Sequence, residues 1–411
     1  MPGSSPARPA LLRSLNDRTV LAVLLSRGPS SRADVVGATG LSKPTVAEVL
    51  ARLEEAGLVV EAGETVGRRG PNGRLHDLAV EHLRAAAVSV TPSRLTCALL
   101  DVRGEVLARV ERPRGSLPRG AGEATRALVV AAAQEAGARP ATVREVVISV
   151  PGSYDPALDQ VRYADRIPDW IHPGIAAAIS SSLGRGTAVT LDNDVNLALV
   201  AERGGDVGAP GSVTSLLWLG AGVGLATDLA GTLYRGVSGG AGEIGYVLLP
   251  GAGGGHSELQ DLVGAAAVRR LAREHGVPGR SAEEVVQRAA ATRHDVPGSA
   301  ALLDELARRL ALGLSVIVAV LDPGAVVLGG AVGRAGGDAL AGRTARALRA
   351  TSRLRCAVVA STVEGDPAFE GAQRVAVDRL AERLLSASTV TAMDTTSRIP
   401  APRSHQEVHA R

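Results

Sequence analysis

Apolar residues recur at helical spacing in three runs between residues 16 and 57. Val20, Val23 and Leu24 form one inward stripe, and Val46, Val49, Leu50 and Leu53 form another at i, i+3, i+4 and i+7. The pattern reads as helical throughout this stretch, then alternates in a Gly/Arg-rich region up to about residue 76. Three short strand signals follow at "LRAAAVSV", "RLTCALLDV" and "EVLARVER". Further on, strands such as "VREVVISVPG", "GTAVTLDND" and "GAVVLGGAV" alternate with Ala/Leu helices, the pattern of an α/β domain. Residues 1–15 are rich in Pro and Ser, and residues 386–411 lack apolar periodicity; both read as disordered. The division that follows is a head at 16–80 and a body at 81–385.

Composition narrows the classes. A chain of 411 residues exceeds what one core usually organises, which agrees with two domains. Aromatics make up 2% of residues, so Leu, Val, Ala and Ile fill the interior and base stacking is not a recognition strategy. A net charge of +3 confines any nucleic-acid contact to a local surface. Cys97 and Cys356 form no CxxC pair, so neither a disulfide framework nor a thiolate zinc site is expected, and a cytoplasmic setting suits the chain. No apolar run reaches membrane-spanning length, and no membrane partner is expected.

The head carries the marks of a DNA reader. Ser31 with Asp34 forms a capping-box pattern opening the second helix, and "ATG" ends it with the glycine typical of a C-terminal cap. The third helix starts at Ser42, with Pro44 in a first turn that tolerates it. Lys43, Thr45, Glu48 and Arg52 fall on the face opposite the apolar stripe. Ser42, Lys43 and Thr45 stand where a recognition helix meets bases and phosphates. "LVVEAGETVGRRGPNGRLHDL" reads as a hairpin wing whose Arg68, Arg69 and Arg74 reach phosphate or minor groove. A plain helical subdomain is the bland alternative; the wing, in this order after three helices, argues against it.

In the body, "LDNDVNLALVAERG" places Asp192, Asn193, Asp194 and Asn196 between a strand and a helix. With "VPGSYDPALDQVRYADRIPDW", "LGAGVGLATDLAGTLYRGVSGGAGEIGY" and "VVLGGAVGRAG" following in order, the chain resembles the ROK family (repressors, open reading frames and sugar kinases) over about residues 15–385. The resemblance implies an α/β actin-like ATPase fold, related to ribonuclease H, of two lobes around a cleft, preceded by an all-α winged helix-turn-helix head. It also implies a sugar held by Asn193, Asp194 and Glu243, with Asp194 at the position of the family's catalytic base. Taken alone, Asp194 could be a helix N-cap or first-turn acid.

The departures from the family pattern change the expectation. The family's "DxGGT" turn is "SVTPS" here, so Ser89 replaces the metal-side carboxylate and Pro92 removes an amide donor. The second phosphate loop reads "GAGVGLA", keeping Gly220, Gly222 and Gly224 but with Ala221 in place of a hydroxyl residue. Of the family's zinc ligands, Gly251, Gly253 and Glu258 stand at the cysteine positions and Tyr246 at the histidine, and His256 alone does not rebuild the site. Gln260 replaces a sugar-binding glutamate and keeps hydrogen-bonding capacity. The expectation is therefore a regulator, a repressor of carbohydrate-related genes, without zinc or ATP. It would bind operator DNA and a sugar or sugar phosphate held by Asn193, Asp194, Glu243, Tyr246 and Gln260, and act as a homodimer or homotetramer. The alternative is an active sugar kinase with an attached head.

Overall fold

The computed structural model describes residues 9–64, 73–164, 166–203, 211–250, 255–291, 296–353 and 355–390. The chain divides into two units. One comprises Met1–Arg84, Asp101–Glu105 and Val377–Arg411; the other comprises Ala85–Leu100 and Val106–Ala376.

In the first unit, α1 (Pro9–Arg27), α2 (Arg32–Thr39) and α3 (Lys43–Glu55) pack around Val20, Leu24, Val35, Val46, Val49, Leu50 and Leu53, all buried. Leu21 completes the α1 stripe in place of Val23, which is only half-buried. Ser31 and Asp34 form the capping box, Gly40 ends α2 in the left-handed conformation at φ 70°, and Ser42 caps α3. The head is not all-α. The two-residue strand β1 (Ser30–Ser31) pairs with β3 (Arg74–Leu78), which pairs in turn with β2 (Val59–Glu64). Gly28, at φ 75°, ends α1 and lets the chain turn into β1, so the helical pattern is interrupted there. α1 begins at Pro9, which moves the ordered chain earlier than the boundary expected at residue 15. At the other end α12 (Pro367–Val390) runs past the boundary expected at residue 386.

The second unit holds two lobes, each with a five-stranded sheet. The first orders β10 (Ala188–Asn193), β7 (Val143–Val150), β4 (Arg84–Val90), β5 (Arg94–Leu100) and β6 (Val106–Pro113). The strands β4, β5 and β6 are the three consecutive ones the alternation marks, joined antiparallel, whereas β7 and β10 pair in parallel. α4 (Ala121–Glu135) and α5 (Ile175–Leu183) belong to this lobe, whose core includes Leu128, Ile148, Ile175 and Trp170. A small ribbon of β8 (Ser153–Asp155) and β9 (Gln160–Arg162) follows β7.

α6 (Asp194–Glu202) leads to the second sheet, ordered β13 (Thr232–Leu233), β12 (Val223–Leu229), β11 (Val213–Leu219), β16 (Ala325–Gly329) and β17 (Ala357–Ala360). Read in chain order the two sheets have the same topology, the duplicated layout of an actin-like fold. β14 (Leu248–Pro250), β15 (His256–Glu258) and helices α7 (Leu259–Val263), α8 (Ala265–Glu274), α9 (Ala282–Ala290), α10 (Ser299–Leu321) and α11 (Gly330–Thr351) complete the lobe. Within α10, Arg308 and Arg309 both turn back to Glu305 at 2.7 and 2.8 Å, which holds that carboxyl down at about 2. Among the described residues no helix is long and apolar enough to cross a membrane.

Candidate functional sites

In the head, the Ser42 hydroxyl accepts from the Thr45 amide at 3.3 Å and lies 2.8 Å from the Thr45 hydroxyl. The cap leaves Ser42 and Lys43 exposed and Thr45 half-buried at the start of α3. The first amides of a helix present partial positive charge, so this end suits a phosphate. Arg52 has a partner within the head. It lies in the last turn of α3 and pairs with Asp17 of α1, a carboxylate only 8% exposed, which raises the guanidinium above its usual range. That side chain, 38% exposed, ties two helices together. Arg74 is 68% exposed and pairs with Glu61 across the β2–β3 ladder at 3.4 Å. Arg68 and Arg69 lie outside the described residues. Arg32, which sequence reasoning passed over, is exposed at the first position of α2. With Arg74, Ser31 and Gly73 it lines an open pocket of about 520 Å³. The available signal was its place directly after the capping serine, where a helix start turns an arginine toward solvent.

In the body, a cleft of about 560 Å³ is lined from both lobes: Ser89 and Pro92 of the β4–β5 turn, Asp194 of α6, Trp218, Ala221 and Gly222 of the β11–β12 turn, and Glu243, Tyr246 and Gln260. The "DNDVN" segment divides its labour. Asp192 is buried, accepting from the Asn196 side chain at 2.9 Å and from Arg235 Nη2 at 2.6 Å. Asn193 is the N-cap of α6: its carbonyl oxygen accepts from Val195 and Asn196 at 2.8 and 3.2 Å, and its amide donates to Gly152 O at 3.1 Å. Asn193 therefore lines the cleft while its carbonyl oxygen caps α6 and its amide holds the loop at Gly152. Asp194, the first residue inside the helix, is half-buried at the cleft. Burial, reinforced by the charges of Asp366 and Glu243, pushes its carboxyl up to about 7, against the lowering effect of the Val195 amide. Near neutrality it can therefore accept or donate a hydrogen bond.

Glu243 accepts a short hydrogen bond from the Ser153 hydroxyl. Gln260 donates to Glu258 at 2.6 Å and still lines the cleft. Tyr246 stands with Tyr163, ring centroids 5.7 Å apart, and Arg162 lies over the Tyr163 ring at 5.2 Å. Asp366 also lines the cleft, as the residue that precedes α12 and accepts from the Phe369 amide at 3.1 Å. Sequence reasoning missed it, because nothing in a lone Asp before a helix connects it with residues 194 and 243.

The glycines here serve close approach. At Gly242, φ is 95° and a Cβ would sit 1.9 Å from Leu225 O; at Gly239 it would sit 1.9 Å from Tyr154 O. Each phosphate-type turn bonds one of its backbone amides within itself. Thr91 donates its amide and its hydroxyl to Arg94 O at 3.0 and 2.8 Å, and the Gly220 amide donates to Gly222 O at 3.0 Å. Donors spent in this way are not aimed at a phosphate, and Pro92 adds none. A zinc site does not fit either. Tyr246 and Glu258 replace a histidine and a cysteine, Gly251 and Gly253 lie outside the described residues, and glycine carries no donor side chain. Among the described residues no cluster of three or more His, Cys, Asp or Glu could hold a metal ion.

Residues 86–378 match the model of the ROK family, and residues 13–60 match one for winged helix-turn-helix DNA-binding domains. A protein of Caldicellulosiruptor sp. provisionally named a xylose repressor is 23% identical over 343 residues, covering 78% of this chain and 84% of that one. A glucokinase of Thermotoga maritima is 26% identical over 209 residues, 46% of this chain and 65% of the enzyme. The chain matches only about half the length of the first curated relatives. Among solved structures, a ROK family transcriptional regulator described as a homologue of the E. coli MLC protein superposes with a TM-score of 0.67 at 19% identity, over 92% of this chain and 99% of that one.

Proposed function

Because the chain belongs to the ROK family and places a winged helix-turn-helix match ahead of the family domain, we propose that it is a DNA-binding transcriptional regulator, a repressor, whose cleft receives a sugar effector without phosphorylating it. The observation that carries this reading is the combination of a retained sugar-side pair, Asp194 and Glu243, with phosphate-side turns that bring Ser89, Pro92 and Ala221 to the cleft in place of a carboxylate, an amide donor and a hydroxyl. Phosphoryl transfer depends on positioning and charge neutralisation at the phosphates, and this cleft offers little of either. The protein works without ATP or zinc on this reading, and it acts as a homodimer or homotetramer because paired heads on two half-sites multiply a limited single contact.

Control follows from linkage. An effector that prefers one arrangement of the two lobes shifts the population that grips the operator. Fluorescence anisotropy with DNA from upstream of the protein's own gene, repeated across a panel of sugars, tests this directly. A shift with one sugar, abolished by Asp194→Ala while sugar-free DNA binding persists, supports the reading. ATP turnover with a hexose that falls on Asp194→Asn would instead establish the kinase, which the glucokinase relative keeps as the second reading.

A further inference from the structure

The cleft has an unusual balance of side chains. Three carboxylates line it, those of Asp194, Glu243 and Asp366, against one cation among the described lining residues, the exposed Arg166. The Asp366 oxygen Oδ1 receives the Phe369 amide, and its other oxygen makes no hydrogen bond or ion pair among the described residues. Carboxylates gathered in a partly desolvated site repel one another unless a cation enters or one of them takes up a proton. Burial raises the Asp194 carboxyl, and the neighbouring charges of Asp366 and Glu243 add to it.

The aromatic residues add a second, independent observation. The chain has only seven of them, and three, Tyr163, Trp218 and Tyr246, line this one cleft. Tyr163 and Tyr246 are each about half exposed. Aromatic faces attract a cation within about 6 Å of the ring centre, as Arg162 already does over Tyr163, and their apolar bodies suit the C–H face of a ring. Carboxylates and aromatic faces together repel an anion and favour an ammonium group.

Resting on the sugar-receptor reading above, we propose that the effector is an amino sugar carrying a free, protonated amine, and that Asp366 is a specificity determinant for that amine. A phosphorylated sugar would bring a dianion toward three carboxylates. An uncharged hexose would leave the relief to a proton on Asp194 and give Asp366 no counter-charge.

The test is isothermal titration of the full-length protein with glucosamine, galactosamine and mannosamine, each against its parent hexose and the hexose 6-phosphate near neutral pH. One amino sugar should bind at least tenfold tighter than its parent hexose, and the 6-phosphates should bind more weakly than either. Asp366→Asn, which retains a good helix cap, should cost the amino sugar more affinity than the hexose, with an unchanged melting temperature showing that the fold is intact. Equal or tighter binding of a hexose or its 6-phosphate overturns the amine proposal and leaves the sugar receptor standing. An unaltered preference in Asp366→Asn removes Asp366 from the proposal. Binding of none of the nine compounds overturns the receptor reading and the amine proposal with it.

Discussion

Arg52 and Asp194 show how little a residue's type says about its employment. An arginine near the end of a recognition helix has the right chemistry for a phosphate, yet Asp17 needs a partner for a carboxylate only 8% exposed. Arg52→Ala should lower the stability of the head by about 1–3 kcal/mol, the cost of stranding such a group, while the salt dependence of DNA binding stays as it was. Arg32→Ala combined with Arg74→Ala should do the reverse. Melting temperature holds, and the slope of log affinity against log salt falls by roughly one to two as two phosphate contacts disappear. A salt titration beside a melting curve separates the two cases. For Asp194, the folded-state value of about 7 stands above the ordinary aspartate value of 3.8. Between those values the folded protein binds the extra proton, so its stability falls as pH rises through that window and levels off above it. Asp194→Asn lacks this loss. Its melting temperature should gain on the parent protein's from about pH 4 to pH 7, and a constant difference across that range would contradict the placement of the carboxyl.

At the scale of elements, helices and strands were legible wherever a local rule governs them. Ser31, Gly40 and Ser42 mark helix ends because capping is a matter of three or four neighbouring residues. β4, β5 and β6 follow from alternation over a few positions each. What alternation could not show was β1, a two-residue strand that exists only because β3 lies beside it. Nor could it show how closely α6 and α12 approach. A Cβ at Gly371 would lie 1.8 Å from Leu197 O, and Arg374 donates to the α6 carbonyl of Ala201 at 2.8 Å. Gly371→Ala should force the two helices apart and cost on the order of 3 kcal/mol, the scale of core overpacking. Chemical denaturation reads this directly, and a near-neutral effect would mean that the contact relaxes at no cost.

For the whole molecule, the proposed regulator works only if its head and its effector cleft are coupled. A ligand bound to the folded cleft raises the melting temperature by mass action, so the sugar that alters operator affinity should also stabilise the protein, and Asp194→Ala should lose both responses together. Family motifs made the body's fold and the locations of Asp194, Glu243, Tyr246 and Gln260 readable from sequence alone, because a motif records residues that act in one place. The sequence also determined the loss of the phosphate and zinc side chains, since chemistry absent from a side chain cannot be restored by folding. Only the tertiary structure decided which of the remaining groups are free. It assigned Asn193 to capping α6 and Arg52 to Asp17, and it brought Asp366 beside a carboxylate 172 positions earlier in the chain. Hydrogen-bond satisfaction and charge proximity are properties of atoms in space, and sequence separation carries almost no record of them.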